Sequence, residues 1–168
     1  LWSSLPDEEL LTLANEKKLG EPAVLKAQIS RMIADDRAKT LVEDFAFQWL
    51  NLAKLDEISP NGGLFRYASR FLDPRPMFKQ ELSLFIDSIL RSDQSVVRLL
   101  DSDYTFLNER LAAHYGIENV KGSAFRKVSL DDEYRKGLLG KGAILMLTAN
   151  PNRTSPVLRG AWILERIL

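Results

Sequence analysis

Met77-Phe78-Lys79-Gln80-Glu81-Leu82-Ser83-Leu84-Phe85-Ile86-Asp87-Ser88-Ile89-Leu90-Arg91 is the stretch on which the fold class turns. Phe78, Leu82, Phe85, Ile86 and Ile89 recur at the spacing of one helical face, while Lys79, Glu81, Asp87 and Arg91 fall mostly elsewhere. An amphipathic helix with a wide apolar stripe is expected here, and such a stripe needs other helices or a sheet to cover it. The same period recurs outward in both directions. Toward the N-terminus, Ser4, Pro6 and the acids Asp7, Glu8 and Glu9 mark a helix over about residues 5 to 18 that stops at Gly20. After Glu21-Pro22, the residues Leu25, Ile29, Met32 and Ile33 form a second helix ending near Asp35-Asp36. With Asp36 as its cap, a third helix carries Leu41, Val42, Phe45, Trp49 and Leu52 and is the expected central core helix.

Toward the C-terminus, helices are expected over Ser95 to Leu100, Thr105 to Tyr115 (ending at Gly116), Leu138 to Leu147 and Ser155 to Leu168. Asp56 to Pro76 reads as a long connection with a short helical turn around Phe65 to Phe71, because Ser59-Pro60-Asn61-Gly62-Gly63 and Asp73-Pro74-Arg75-Pro76 interrupt any helix. Phe125 to Leu130 alternates with period two, and its strand is expected to pair with sequence outside the chain. The fold class is therefore all-α: an irregular bundle of about seven or eight helices with at most one short strand or hairpin near 125–130. Its core is expected on Phe45, Trp49, Phe78, Leu82, Phe85, Ile86 and Leu111.

The 168 residues suffice for a real core, and 45% hydrophobic with 27% charged residues is the balance of a globular chain. No apolar run approaches the ~18 residues that span a bilayer, so no membrane-spanning segment is expected. Zero cysteines exclude disulfides, thiolate metal sites and C-x-x-C-H haem attachment within these residues. Charge is zero overall but uneven: residues 1 to 60 carry 7 basic and 11 acidic side chains, and residues 134 to 168 carry 6 basic and 1 acidic. Nucleic-acid binding is not expected, because such surfaces carry denser Lys and Arg interleaved with aromatics. Both ends of the chain lie inside apolar patterns, which reads as a piece of a longer protein, so the lack of a visible targeting segment decides nothing.

Three constellations bear chemistry. Asp103, Tyr104, Asn108, Arg110 and His114 occupy one stretch, with Arg110 and His114 as i, i+4 neighbours on a helix. His114 suits a general base or axial ligand partnered by Asp103 or Glu109, but it equally suits the last turn of a helix, where an imidazole complements the dipole. A metal site needs two or three further ligands, and none is expected. The pairs Asp101 with Asp103 and Asp131 with Asp132 and Glu133 fit neither an EF-hand nor a nucleotide motif, and read as caps or solvated turns. The third is Thr148-Ala149-Asn150-Pro151-Asn152-Arg153-Thr154-Ser155-Pro156-Val157-Leu158-Arg159-Gly160. Ser155 is a natural N-cap and Pro156 a natural first helical residue. Asn150, Asn152, Arg153, Thr154, Ser155 and Arg159 supply many donors there, suited to an anionic or glycan ligand or to struts that fix the loop.

Four separated motifs, Trp2 to Leu10, Phe45 to Leu50, Asp103 to Ala112 with His114-Tyr115-Gly116, and Asn150 to Gly160, resemble the planctomycete-type cytochrome-c-associated domains of unknown function. The resemblance implies one such domain over residues 1–118, without its first helix, and the start of the next over residues 122–168. It implies a periplasmic or cell-surface setting, haem in another domain of the full-length protein, no cofactor in this fragment, and other domains of the same polypeptide as partners. No catalytic residue follows from it. A scaffold reading expects the loop at Asn150 to Arg159 to meet the Tyr104 to His114 region at a hydrogen-bonded seam, with Arg153→Ala lowering the unfolding temperature. A redox or hydrolytic enzyme reading, with polysaccharide as one substrate class, expects Asp103, His114, Arg153 and Arg159 around one cleft completed by missing domains.

Overall fold

The computed structural model describes residues 1–59, 61 and 73–168, so the turn expected around Phe65 to Phe71 lies outside the described residues. The chain divides into two compact units, Leu1–Ala46 and Phe47–Leu168.

In the first unit, α1 (Glu8–Asn15) starts on Asp7, whose carboxylate accepts the Leu10 N–H. Asp7 rather than Ser4 is therefore the cap, and Glu8 and Glu9 complement the positive end of the dipole. A 3-10 turn over Lys18–Gly20 leads to α2 (Pro22–Ala34), which opens on the proline as expected. Arg31 of α2 forks onto Asp7 at 2.6 and 3.1 Å, and buried Gln28 donates to Glu9 at 2.7 Å. Trp2 is buried, donates to the Met32 carbonyl at 2.8 Å and lies 3.6 Å under the Arg37 guanidinium. The third expected helix is not a regular one. A 3-10 turn at Asp36–Ala38, capped by Asp35 rather than Asp36, precedes a π-helical segment at Leu41–Ala46. Winding by i→i+5 changes which side chains share a face: Val42 and Ala46 are buried, and Phe45 is 62% exposed and not part of the core.

The second unit begins with a single helical turn, α3 (Phe47–Trp49), and a 3-10 segment at Leu52–Glu57 that buries Leu52 and Leu55. Its centre is α4 (Arg75–Arg91), which buries Phe78, Leu82, Phe85, Ile86 and Ile89, the stripe that the period requires. A short α5 (Arg98–Asp101) leads into β1 (Tyr104–Leu107), which pairs antiparallel with β2 (Arg126–Ser129) in the register Tyr104↔Ser129 and Leu107↔Arg126. The strand expected near 125–130 is present, but its partner lies within the chain, and residues 105–107, expected to open a helix, form that partner. Tyr-Thr-Phe-Leu is β-branched and aromatic, which suits a half-buried pleat. Helix α6 (Glu109–Tyr115) starts only after Asn108, whose side chain caps it, and stops at left-handed Gly116 (φ 71°). The helix expected over Leu138 to Leu147 is broken into a 3-10 turn (Leu138–Gly140) and α7 (Gly142–Leu147). A second small hairpin, β3 (Ala149–Asn150) with β4 (Arg153–Thr154), precedes α8 (Pro156–Arg166). The half-buried Trp49 indole donates to the Arg166 carbonyl and that of Trp162 to the Leu50 carbonyl, tying α8 to the start of the unit.

Helices dominate the described residues, and the strands form two sheets of two strands each. Among the described residues no helix is long and apolar enough to cross a membrane.

Candidate functional site

One carboxylate on the inward face of α4 breaks the apolar stripe. Glu81 is 1% exposed. It sits between Phe78 and Phe85 on the core side, so its charge needs donors. Two hydroxyls supply them: Thr105 of β1 donates to Oε1 at 2.5 Å and Tyr115 of α6 to Oε2 at 2.5 Å. The Tyr115 oxygen in turn accepts the Gly142 N–H at 3.0 Å, extending the chain of bonds to the first residue of α7. Gly142 takes a side chain here only if its neighbours shift, because a Cβ would run into the Phe78 ring and the Tyr115 hydroxyl. Lys141, also 1% exposed, donates to the Tyr104 carbonyl at 3.0 Å and lies 4.2 Å from the Phe85 ring centre. It acts on Glu81 through space.

Burial drives this chemistry away from ordinary solution values. It raises the Glu81 carboxyl against the opposing pull of Thr105, Tyr115 and Lys141. It raises the Tyr115 phenol, reinforced by the neighbouring carboxylate. It lowers the Lys141 ammonium to about 8, an effect that Glu81 only partly opposes. Sequence periodicity missed Glu81 and Lys141 because carboxylates and ammonium groups are assigned to outer faces by default. The available signals were the position of Glu81, three residues after Phe78 and four before Phe85, and the placement of Lys141 between two glycines.

The residues singled out from the sequence occupy several separate places. Asp103 is exposed, pairs with Arg98 at 3.2 Å and accepts the Leu130 N–H on its carbonyl at 2.7 Å. Tyr104 is buried, shares a 2.9 Å hydrogen bond with Ser88 and packs against Phe85, with the Lys127 ammonium 3.6 Å from its ring centre. Asn108 is buried and accepts the Leu111 N–H at 2.9 Å. Arg110 is exposed on α6. His114 keeps an exposed edge while its ring lies 5.5 Å from that of Phe78; this burial, followed by the charge of Arg135, lowers its pKa. Its position in the last turn of α6 is the one that the spacing indicates.

In the C-terminal segment, Asn150 faces Arg153 across the β3–β4 hairpin, Asn152 occupies the turn, and Arg153 and Thr154 are exposed. The turn is pinned by Asn61, whose N–H donates to the Pro151 carbonyl at 3.0 Å. Ser155 caps α8 by accepting the Leu158 N–H at 3.3 Å, and Pro156 follows at the first helical position. Arg159 turns inward and donates to buried Thr148 at 3.3 Å. Arg159 thus reaches Thr148 and the Pro151 carbonyl receives Asn61, whereas Tyr104 bonds Ser88 and Lys141 and Tyr115 bonds Glu81 and Gly142.

An open cavity of about 440 Å³ borders the buried network. Tyr115, Asn119, Ser129, Asp131, Asp132 and Arg135 contribute to its wall, and Arg135 lies 4.4 Å from the Tyr115 ring centre. Tyr115 therefore contributes to the cavity wall and gives its hydroxyl to Glu81. Among the described residues no group of three or more His, Asp or Glu side chains could hold a metal ion.

No curated protein and no solved structure is significantly similar to the chain. Two family models match it, in agreement with the resemblance carried by the four motifs. Residues 135–168 match PSCyt3, protein of unknown function (DUF1588). Residues 1–117, more than half of the chain, match PSD4, protein of unknown function (DUF1592), and the chain belongs to that family.

Proposed function

We propose that this chain is a helical scaffold and interaction module of a larger exported, cytochrome-c-associated protein, with haem carried by another domain. The observation that carries this reading is the structural use of four of the signature residues. Asn108 and Ser155 cap helices, Tyr104 bonds Ser88, and Arg159 bonds Thr148. Side chains spent on capping and bracing are not free to handle a substrate. The periplasmic or cell-surface setting and the division into two consecutive domains rest on the family resemblance.

The interaction role is supported by α8. Val157 (80% exposed) and Leu164 (67%), with exposed Ala161 between them, line one face of the helix, away from buried Trp162, and exposed Leu168 follows past its end. The partner proposed for this face is a neighbouring domain of the same polypeptide. Hydrogen exchange across Pro156–Arg166 tests it, comparing this chain alone with the chain inside its parent polypeptide. Slower exchange of α8 in the parent, reversed by Leu164→Glu, is expected; equal exchange in both settings would count against the reading.

A further inference from the structure

The charges at Glu81 and Lys141 do something that packing alone does not require. Each is 1% exposed, and each is held by bonds to different groups rather than to the other: Glu81 by Thr105 and Tyr115, Lys141 by the Tyr104 carbonyl and the Phe85 face. Removing two charges from water costs several kcal/mol per ion, and well-packed apolar side chains of similar volume commonly fill such sites at equal or better stability. The pair also sits where α4, β1, α6 and the entrance of α7 converge, so its protonation state acts on all four elements together. The other charged groups nearby are committed elsewhere. Arg135 lies on the outer side of the Tyr115 ring, Arg98 pairs with Asp101 and Asp103, and Lys79 of α4 pairs with Asp56 on the solvent side. His114 packs on Phe78 and Tyr115.

We propose that Glu81 and Lys141 make this core a two-sided proton switch, loosest when both side chains are charged and tightened by a proton gained at Glu81 or lost from Lys141. The sign follows from burial. Glu81, whose folded pKa is raised above its ordinary 4.5, contributes stability that is complete below 4.5 and is lost as pH rises through the folded value. Lys141, lowered to about 8 from 10.5, contributes stability that is complete above 10.5 and is lost as pH falls through about 8. Wherever both side chains are charged, the core carries the full cost of both. Tyr115 extends the response outward, because the same side chain holds Glu81 and walls the open cavity.

Urea unfolding of the full chain between pH 4 and 10.5 tests the switch, with Glu81→Gln and Lys141→Met beside the wild type. Relative to Lys141→Met, the wild-type unfolding constant should fall by up to about tenfold per pH unit above pH 8. Relative to Glu81→Gln, it should fall as pH is lowered toward 4.5. Wild-type and variant profiles that run parallel through both windows would overturn the proposal. Should a variant fail to fold, carbon-13 NMR titration of the wild type decides. A Lys141 Cε midpoint near 8 and a Glu81 Cδ midpoint above 4.5 are expected, whereas ordinary midpoints for both would overturn it.

Discussion

The Tyr115 hydroxyl donates to the buried Glu81 carboxylate across 2.5 Å and accepts the Gly142 amide at 3.0 Å, so one oxygen joins α4, α6 and α7. Phenylalanine at this position keeps the ring against Phe78 but removes both bonds. Tyr115→Phe is therefore expected to lower stability by about 1–3 kcal/mol, the cost of leaving buried polar groups without partners. Equilibrium urea unfolding at pH 7 measures it, and a loss below a few tenths of a kcal/mol would show that the bond contributes little.

Gly142 makes a sharper steric case. An added methyl group meets the Phe78 ring and the Tyr115 oxygen, both fixed by their own neighbours. Gly142→Ala should cost about 1–3 kcal/mol despite the better helix propensity of alanine, because overpacking forces side chains off their preferred geometry. Thermal unfolding with a midpoint at or above the wild-type value would contradict this.

The two arginines of the C-terminal signature are predicted to differ. Arg159→Ala removes the bond to buried Thr148 and should cost about 0.5–1.5 kcal/mol. Arg153 is exposed on β4, and Arg153→Ala should stay within about 0.5 kcal/mol of wild type. The expectation from sequence, that Arg153→Ala lowers the unfolding temperature, is thereby transferred to Arg159. Differential scanning calorimetry of the two variants side by side separates them.

In the first unit, the Arg37 side chain, followed by the Arg37 backbone N–H, holds the Asp35 carboxyl down at about 2 from 3.8. A depressed carboxylate contributes stability present above 3.8 and lost as pH falls through about 2. An NMR titration should place the Asp35 midpoint near 2 in the wild type and closer to 3.8 in Arg37→Ala. An unchanged midpoint in the variant would assign the shift to another group.

Local signals were legible and distant ones were not. The α4 stripe, the Pro22 start of α2, the Gly116 stop and the Ser155-Pro156 entrance all depend on residues within one or two turns of each other, and the structure follows them. Thr105–Leu107 was read as the opening of a helix because so short a strand carries too little periodicity, and its partner, β2, lies beyond α6. Phe45 was misplaced because an apolar count at 3.6 residues per turn presumes α-helical winding, which Leu41–Ala46 does not have. Glu81 and Lys141 were hidden for an energetic reason. Burying them is unfavourable until Thr105, Tyr115 and the Tyr104 carbonyl are in place, and those partners lie 24, 34 and 37 residues away.

The β1–β2 pairing has a consequence for where the chain can be divided. One strand lies inside the residues matched by the first family and the other lies beyond them, while Gly142, which closes the Tyr115 bond, belongs to the stretch matched by the second. A cut between Leu107 and Arg126 would leave an unpaired edge at Tyr104–Leu107, and any cut between Tyr115 and Gly142 would leave Tyr115 without the amide that orients it.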